Sequence, residues 1–185
     1  YIEQHDWEHI NRAVAEIENL PIIFRDAAGL SVNQIKSSIR KNRKNNRCDF
    51  AIVDYLQLVR SSEPKAIREL EVSEISRTLK TVALAENIPI LALSQLNRDA
   101  DNTFPKLSHL RESGAIEQDA DIVVFLVPDE NKLRLSIAKH RRGRLCDIDI
   151  FPNDEMTRFS DKPLDEGYSN SPDEKIESKS IGNPF

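Results

Sequence analysis

The sequence predicts an α/β fold: a mostly parallel sheet with flanking helices and a C-terminal antiparallel hairpin. Three observations carry that expectation. Phe50-Ala51-Ile52-Val53 and Pro89-Ile90-Leu91-Ala92-Leu93 are apolar runs without alternation, the pattern of strands buried on both faces of a parallel sheet. Between them, from about Ala66 to Glu86, Leu70, Ile75, Leu79 and Val82 form one apolar stripe among charged residues, which predicts an amphipathic helix closed by Asn87. Strand, helix and strand in that order imply parallel pairing through a right-handed crossover. Further strands fit Ile122 to Val127, Leu133 to Ala138 and Leu145 to Phe151. The last two are joined by the short polar link Arg141 to Arg144 and read as a hairpin.

Before the first strand, Trp7, Ile10, Val14 and Ile17 recur at helical spacing behind Asp6, which predicts a helix from Asp6 to Asn19 with Asp6 as N-cap. Pro21 to Phe24 reads as a short strand. Ser31 is expected to cap a second helix that runs through Ile35 and Ile39 into the basic run Arg40, Lys41, Arg43, Lys44 and Arg47. Cations suit the negative pole of a helix, so this run by itself reads as a solvated helix end. After Ser160 the composition shifts to Ser, Pro, Asp, Glu and Lys. The expected organisation is one domain over 1–160 and a disordered acidic tail over 161–185.

Composition narrows the function classes. With 39% hydrophobic and 31% charged residues, the chain suits a soluble globular protein. No apolar run approaches the ~18 residues of a membrane span, and Tyr1 to Trp7 has no signal-peptide pattern, so the expected compartment is the cytoplasm and no membrane partner is expected. Cys48 and Cys146 are too few and too far apart for a disulfide framework or a zinc site, and are expected to be reduced, buried side chains. The net charge of -5 excludes a surface basic on every side, but not a local basic rim.

A buried strand ending in a carboxylate suits a nucleotide-hydrolysing protein, because ligands bind outside the carboxyl ends of parallel strands and a magnesium ion needs oxygen ligands there. Asp54 holds that position, and Gln95 ends the next strand. Each alone is commonly structural. Four strings in order go further: Ile52-Val53-Asp54-Tyr55-Leu56-Gln57-Leu58, Glu71-Val72-Ser73-Glu74-Ile75-Ser76-Arg77, Leu93-Ser94-Gln95-Leu96-Asn97-Arg98, and Leu110-Arg111-Glu112-Ser113-Gly114-Ala115-Ile116-Glu117-Gln118-Asp119-Ala120-Asp121. Together they resemble the RecA-like motor domain of DnaB-family replicative helicases, from about Asp6 to Phe159, and the last string is highly specific to that family.

The resemblance implies an ATP-driven motor with a P-loop NTPase core that unwinds duplex DNA by translocating on single-stranded DNA as a hexameric ring. It makes Asp54 the aspartate that helps hold Mg2+, through water. It makes Gln95 the residue coupling γ-phosphate state to the DNA-binding loop, and Arg111, Glu112 and Gly114 that loop. An arginine suits a phosphate contact and a glycine lets backbone N–H groups approach closely. Glutamate cannot neutralise phosphate, which leaves it a positioning role. Lys139 and Arg141 resemble the pair that reaches across a subunit boundary to a neighbour's γ-phosphate, where cations stabilise transition-state charge. ATP and Mg2+ are the implied cofactors. Single-stranded DNA and other helicase subunits are the implied partners, with a helicase loader or primase further candidates. Read without the resemblance, Lys139 and Arg141 are a salt-bridged hairpin end, and Glu117, Asp119 and Asp121 a solvated or capped helix.

The chain also departs from the family pattern. No Gly-x-x-x-x-Gly-Lys-Ser/Thr is present, and the glycines at 29, 114, 143, 167 and 182 cannot make one. The fold is therefore expected to be incomplete at its N-terminal side, with Tyr1 an internal cut in the motor. The stretch Asp99 to Lys106 is short and lacks the family's basic residues. His109 stands where an aspartate is usual, and Arg141-Arg142-Gly143-Arg144 replaces the more usual Arg-Asn-Gly-Pro. Two other functions compete: a non-catalytic remnant that binds helicase subunits or DNA, and a RecA-like recombination ATPase, which the string from Arg111 to Asp121 does not fit. A phosphate loop encoded in frame upstream of Tyr1 would decide for the enzyme over the remnant.

Overall fold

The computed structural model describes residues 4–27, 29–63, 65–97, 103–110, 114–129, 132–153 and 157–162. They fall into two compact units, Tyr1–Ala120 and Asp121–Phe185.

The first unit opens with α1, Gln4–Glu18. Asp6 lies inside this helix, not at its N-cap. The stripe of Trp7, Ile10, Val14 and Ile17 forms as the spacing predicts, yet each keeps 40% or more of its surface exposed. Pro21 to Phe24 is not a strand: Ile22 N–H donates back to Leu20 O (2.7 Å), a tight turn, and Phe24 is exposed. Helix α2, Val32–Lys44, begins as expected. Ser31 Oγ accepts the Gln34 N–H (3.3 Å) while Gln34 Oε1 accepts the Ser31 N–H (2.8 Å), a reciprocal capping box.

Strand β1, Ala51–Val53, pairs in parallel with β2, Ile90–Ala92, with Ala51 opposite Ile90 and Val53 opposite Ala92. Helix α3, Arg68–Glu86, connects them, and Asn87 closes it in the left-handed conformation (φ 50°, ψ 52°), its N–H donating to Ala83 O. The buried stripe of α3 is Val72, Ile75, Leu79 and Val82. Leu70 is exposed, because two residues turn a helix by about 200° and carry it away from Val72. Ile39 of α2, Val82 of α3 and Ile88 form a core cluster, with Ile35, Cys48, Ala51 and Ile90 packed against it.

Among the described residues of this unit, only one face of the strand pair is covered. Ile52 and Leu91, on the face opposite Ala51 and Ile90, are 61% and 48% exposed, so the expectation of burial on both faces fails for these strands.

The loop after β1 is locked to α3 by charge. Glu71 accepts hydrogen bonds from Lys65 N–H (3.2 Å) and Ser61 Oγ (3.3 Å) and pairs with Arg68, and Glu74 pairs with Lys65 Nζ (2.7 Å) and accepts the Ser62 N–H (3.0 Å). The Lys65 ammonium, then Ser62, holds the Glu74 carboxyl well below its ordinary 4.5, at about 2. A carboxyl depressed in the folded state stabilises above its unfolded value and loses that contribution as pH falls through the folded one. We therefore expect Glu74→Gln to cost roughly 1 kcal/mol at neutral pH, the pair being partly solvated. In urea unfolding at stepped pH, the difference from wild type should shrink below 4.5 and vanish near 2; a difference independent of pH would remove the lock.

The second unit is an antiparallel sheet in the order β3-β4-β5-β6: Ile122–Asp129, Lys132–His140, Asp147–Pro152 and Phe159–Ser160. The expected hairpin is thus the centre of a four-stranded meander. Val123 and Phe125 point inward and are buried, while Ile122, Val124 and Leu126 alternate outward. Lys132 Nζ pairs with Asp149 (2.6 Å) and Arg134 with Asp129 (2.7 Å), charge pairs laid across the strands. Between Val123 and Val124 the partner steps from Lys139 to Ile137, leaving Ala138 as a β-bulge. Both cysteines are free; Cys48 is half-buried, but Cys146 is exposed in the β4–β5 turn, where its carbonyl accepts the Ile137 N–H (2.9 Å), and so is not buried as expected. The tail from 163 lies outside the described residues. No described helix is long and apolar enough to cross a membrane.

Candidate nucleotide and DNA sites

Asp54 follows the last residue of β1 at the carboxyl end of the parallel pair and is exposed. The peptide from Asp54 to Tyr55 is cis. A short 3-10 turn, Leu56–Leu58, then folds back onto the end of β2: Leu56 N–H donates to Leu93 O (2.9 Å), and Leu93 N–H to Val53 O (3.0 Å). Tyr55, Leu93, Ser94 and Gln95 line an open concavity of about 290 Å³ there. The structure therefore brings Asp54 and Gln95 to the same end of adjacent strands.

Gln57, given no role from the sequence, organises this end. Its Nε2 donates to Ser94 Oγ (3.0 Å) and Gln95 O (3.4 Å), while its Oε1 accepts the Gln95 N–H (3.3 Å). The turn is anchored in turn by Arg68 of α3, which donates to Gln57 O (3.0 Å) and Val59 O (3.3 Å). The only clue in the sequence was a polar residue between Leu56 and Leu58.

Past Gln95, Leu96 forms an antiparallel bridge with Leu110, and Asn97 N–H donates to His109 O (2.9 Å). His109 also accepts the Lys106 N–H at its Nδ1 (3.3 Å), so its ring caps the turn Leu107–His109. Arg111 and Glu112 lie outside the described residues. Gly114 is the first residue of α4, Gly114–Asp119, and a Cβ built on it meets no described atom within 4 Å, which leaves its backbone open to approach. The far end of α4 is tied down where Ser76 Oγ donates to Asp119 Oδ2 (2.9 Å).

Lys139 and Arg141 belong to the second unit. Lys139 is half-buried on β4 opposite Val123, just after the bulge at Ala138. Arg141 follows the last residue of β4; its N–H donates to Asp121 O (2.9 Å), and its guanidinium lies 3.5 Å from the Asp121 carboxylate. Asp121 thus stands outside α4 and holds Arg141, a pairing the sequence reading missed. In the turn, a Cβ on Gly143 would meet the His140 ring, which would have to move aside.

Asp54 makes no hydrogen bond or ion pair among the described residues, and an exposed, uncommitted carboxylate at a strand's carboxyl end fits a water-mediated magnesium ligand. No group of three or more His, Cys, Asp or Glu side chains among the described residues could hold a metal by itself. Asp54 would supply one ligand, and the others would come from beyond the described side chains.

Comparison with known proteins gives matches over most of the chain. The family model for the DnaB-like helicase C terminal domain matches residues 1–161. The replicative DNA helicase DnaC of Bacillus subtilis (strain 168) is 36% identical over 171 residues, covering 85% of this chain and 38% of that protein. The replicative DNA helicase DnaB of Mycobacterium leprae (strain TN) is 35% identical over 167 residues, covering 84% and 28%. The chain therefore spans well under half the length of these curated relatives. Among solved structures, one described as an ATPase domain superposes with a TM-score of 0.79 at 36% identity, covering 86% of this chain and 61% of that one. A DnaB-like replicative helicase described with its primase interactions gives 0.78 at 36% identity, covering 85% and 42%.

Proposed function

Because the chain belongs to the DnaB-like helicase C-terminal domain family, we propose that it is part of the motor of an ATP-driven replicative DNA helicase that travels on single-stranded DNA as a hexameric ring. The observation that carries this reading is the placement of Asp54 and Gln95 at the same end of adjacent strands, with Gln57 bonded to Gln95 and Leu96 bridged across to Leu110, the residue before Arg111. Gln95 is thus next in sequence to a residue paired with the segment that leads to Arg111.

In this reading Asp54 holds Mg2+ through water, and the ion supplies charge neutralisation at the β- and γ-phosphates of ATP. Gln95 orients toward the γ-phosphate, with Gln57 fixing its backbone. Arg111 contacts the DNA backbone, Gly114 opens the start of α4 to it, and Glu112 positions the loop. Lys139 and Arg141 serve a neighbouring subunit's nucleotide. The phosphate cradle is assigned outside these 185 residues, since the sequence contains none. Primase is a partner by analogy with the structural relative described with it, a helicase loader is a further candidate, and the compartment is the cytoplasm. The family match ends at residue 161, which supports treating the remaining residues as a tail apart from the motor.

The DNA assignment is tested in the intact protein by Arg111→Ala. Losing one phosphate contact should weaken single-stranded DNA binding and lower the slope of log K against log salt by roughly 0.7. An unchanged slope would take Arg111 out of the DNA loop.

A further inference from the structure

The basic run of α2 has no part in the function proposed above. From Gly29 to Cys48 the sequence carries Lys36, Arg40, Lys41, Arg43, Lys44 and Arg47 and no acidic residue, in a chain where 31 acidic residues outnumber 26 basic ones. Two of these cations are used internally: Arg40 pairs with Glu86 (3.0 Å), and Arg43 with Asp49 (2.7 Å) and Glu86 O (3.2 Å). Lys36, Lys41, Lys44 and Arg47 hold no ion pair among the described residues. Burying Val32 and Ile39 against the core leaves the far side of α2 facing water.

That side is shaped as well as charged. Arg25, from the segment before α2, joins Asn33, Gln34, Ser37, Ser38 and Lys41 around an open concavity of about 300 Å³. Two cations, two amides and two hydroxyls, with no carboxylate among them, are the donors that meet phosphate oxygens in nucleic-acid complexes. The row also continues beyond the concavity. Lys44 stands three residues past Lys41, a rise of ~4.5 Å, and Arg47 follows just past the helix end. That step is of the order of the ~3.4 Å rise per charge that each strand of a duplex shows along the helix axis. A lone small anion would leave Lys44 and Arg47 without a role, whereas a chain of phosphates engages them.

We propose that the Arg25–Lys41 concavity, with Lys44 and Arg47, is a second phosphate-backbone contact for nucleic acid, separate from the segment Arg111 to Gly114 and independent of its assignment. The test is fluorescence anisotropy of a labelled oligothymidylate with the full chain, titrated across salt. Arg25, Lys41 and Lys44 are exposed, so Arg25→Ala/Lys41→Ala/Lys44→Ala should keep wild-type circular dichroism. Its salt slope should fall by about 2, at ~0.7 per lost contact. The charge-conserving Arg25→Lys/Lys41→Arg/Lys44→Arg should restore the slope, and Arg12→Ala/Arg158→Ala/Lys162→Ala, equal in charge removed, should leave it near wild type. The same triple change placed on Arg111→Ala should lower the slope further, which separates this surface from the loop.

Four results would each overturn the proposal. They are a wild-type slope in the folded triple variant, an equal drop in the charge-matched control, no binding by the wild-type chain at low salt, or polyglutamate competing as well as the oligonucleotide. The last would reassign the face to an acidic protein.

Discussion

Replacing Arg141 with alanine in the intact ring is expected to lower kcat by about 10³ or more, the range of arginine fingers, with little change in nucleotide binding. The guanidinium follows β4 and is 49% exposed, and its ion pair with Asp121 spans 3.5 Å. Charge on a transferring phosphoryl group develops in the transition state, and a cation that meets it there acts on rate and not on ground-state affinity. Mixing tests whether Arg141 acts across the subunit boundary. Subunits carrying Arg141→Ala, combined with subunits carrying Asp54→Asn, should regain some turnover wherever an intact arginine faces an intact magnesium site. Mixed rings, verified by mass, that stay as inactive as their parents would count against action in trans.

The 185-residue chain alone is expected to release no phosphate from ATP above background. Hydrolysis needs backbone donors and a lysine cradling the phosphates, and five glycines at 29, 114, 143, 167 and 182, none in a Gly-x-x-x-x-Gly-Lys-Ser/Thr string, cannot supply them. In the roles proposed for them, Asp54 and Gln95 act on an ion and a phosphate already in place, and neither supplies that cradle. A phosphate-release assay on the purified chain decides it: turnover that disappears in Asp54→Asn would show that these residues cradle ATP unaided.

Helix α3, its closure at Asn87, the cap at Ser31 and the parallel strand pair were legible because each is written locally, in period, cap or apolar run. The exposure of Trp7, Ile10, Val14 and Ile17 was not. Periodicity reports that a helix has an apolar face, not what lies against it. Pro21 to Phe24 misled for a related reason, since a strand exists only where another strand accepts its hydrogen bonds, and β-propensity carries no information about a partner. Within the candidate site, the strand-end positions of Asp54 and Gln95 followed from the apolar runs before them. Gln57 and Asp121 did not, because their bonds join residues 38 and 20 positions apart, a relation no local pattern encodes.

The bulge at Ala138 gives the Lys139–Arg141 segment a property that residue identities do not contain. Along an unbroken strand, Lys139 would share a side with Leu135 and Ile137, whose cross-strand partners Leu126 and Val124 are exposed. The extra residue reverses the phase, so Lys139 instead stands opposite buried Val123, on the side of Ser136 and Phe125. The direction in which the cation is aimed is therefore stored as a count of residues between two hydrogen-bond registers. A chain with the same Lys-His-Arg letters and one fewer residue before them would spell the motif and point it the other way, so spelling alone does not establish that a relative of this protein can reach its neighbour's nucleotide.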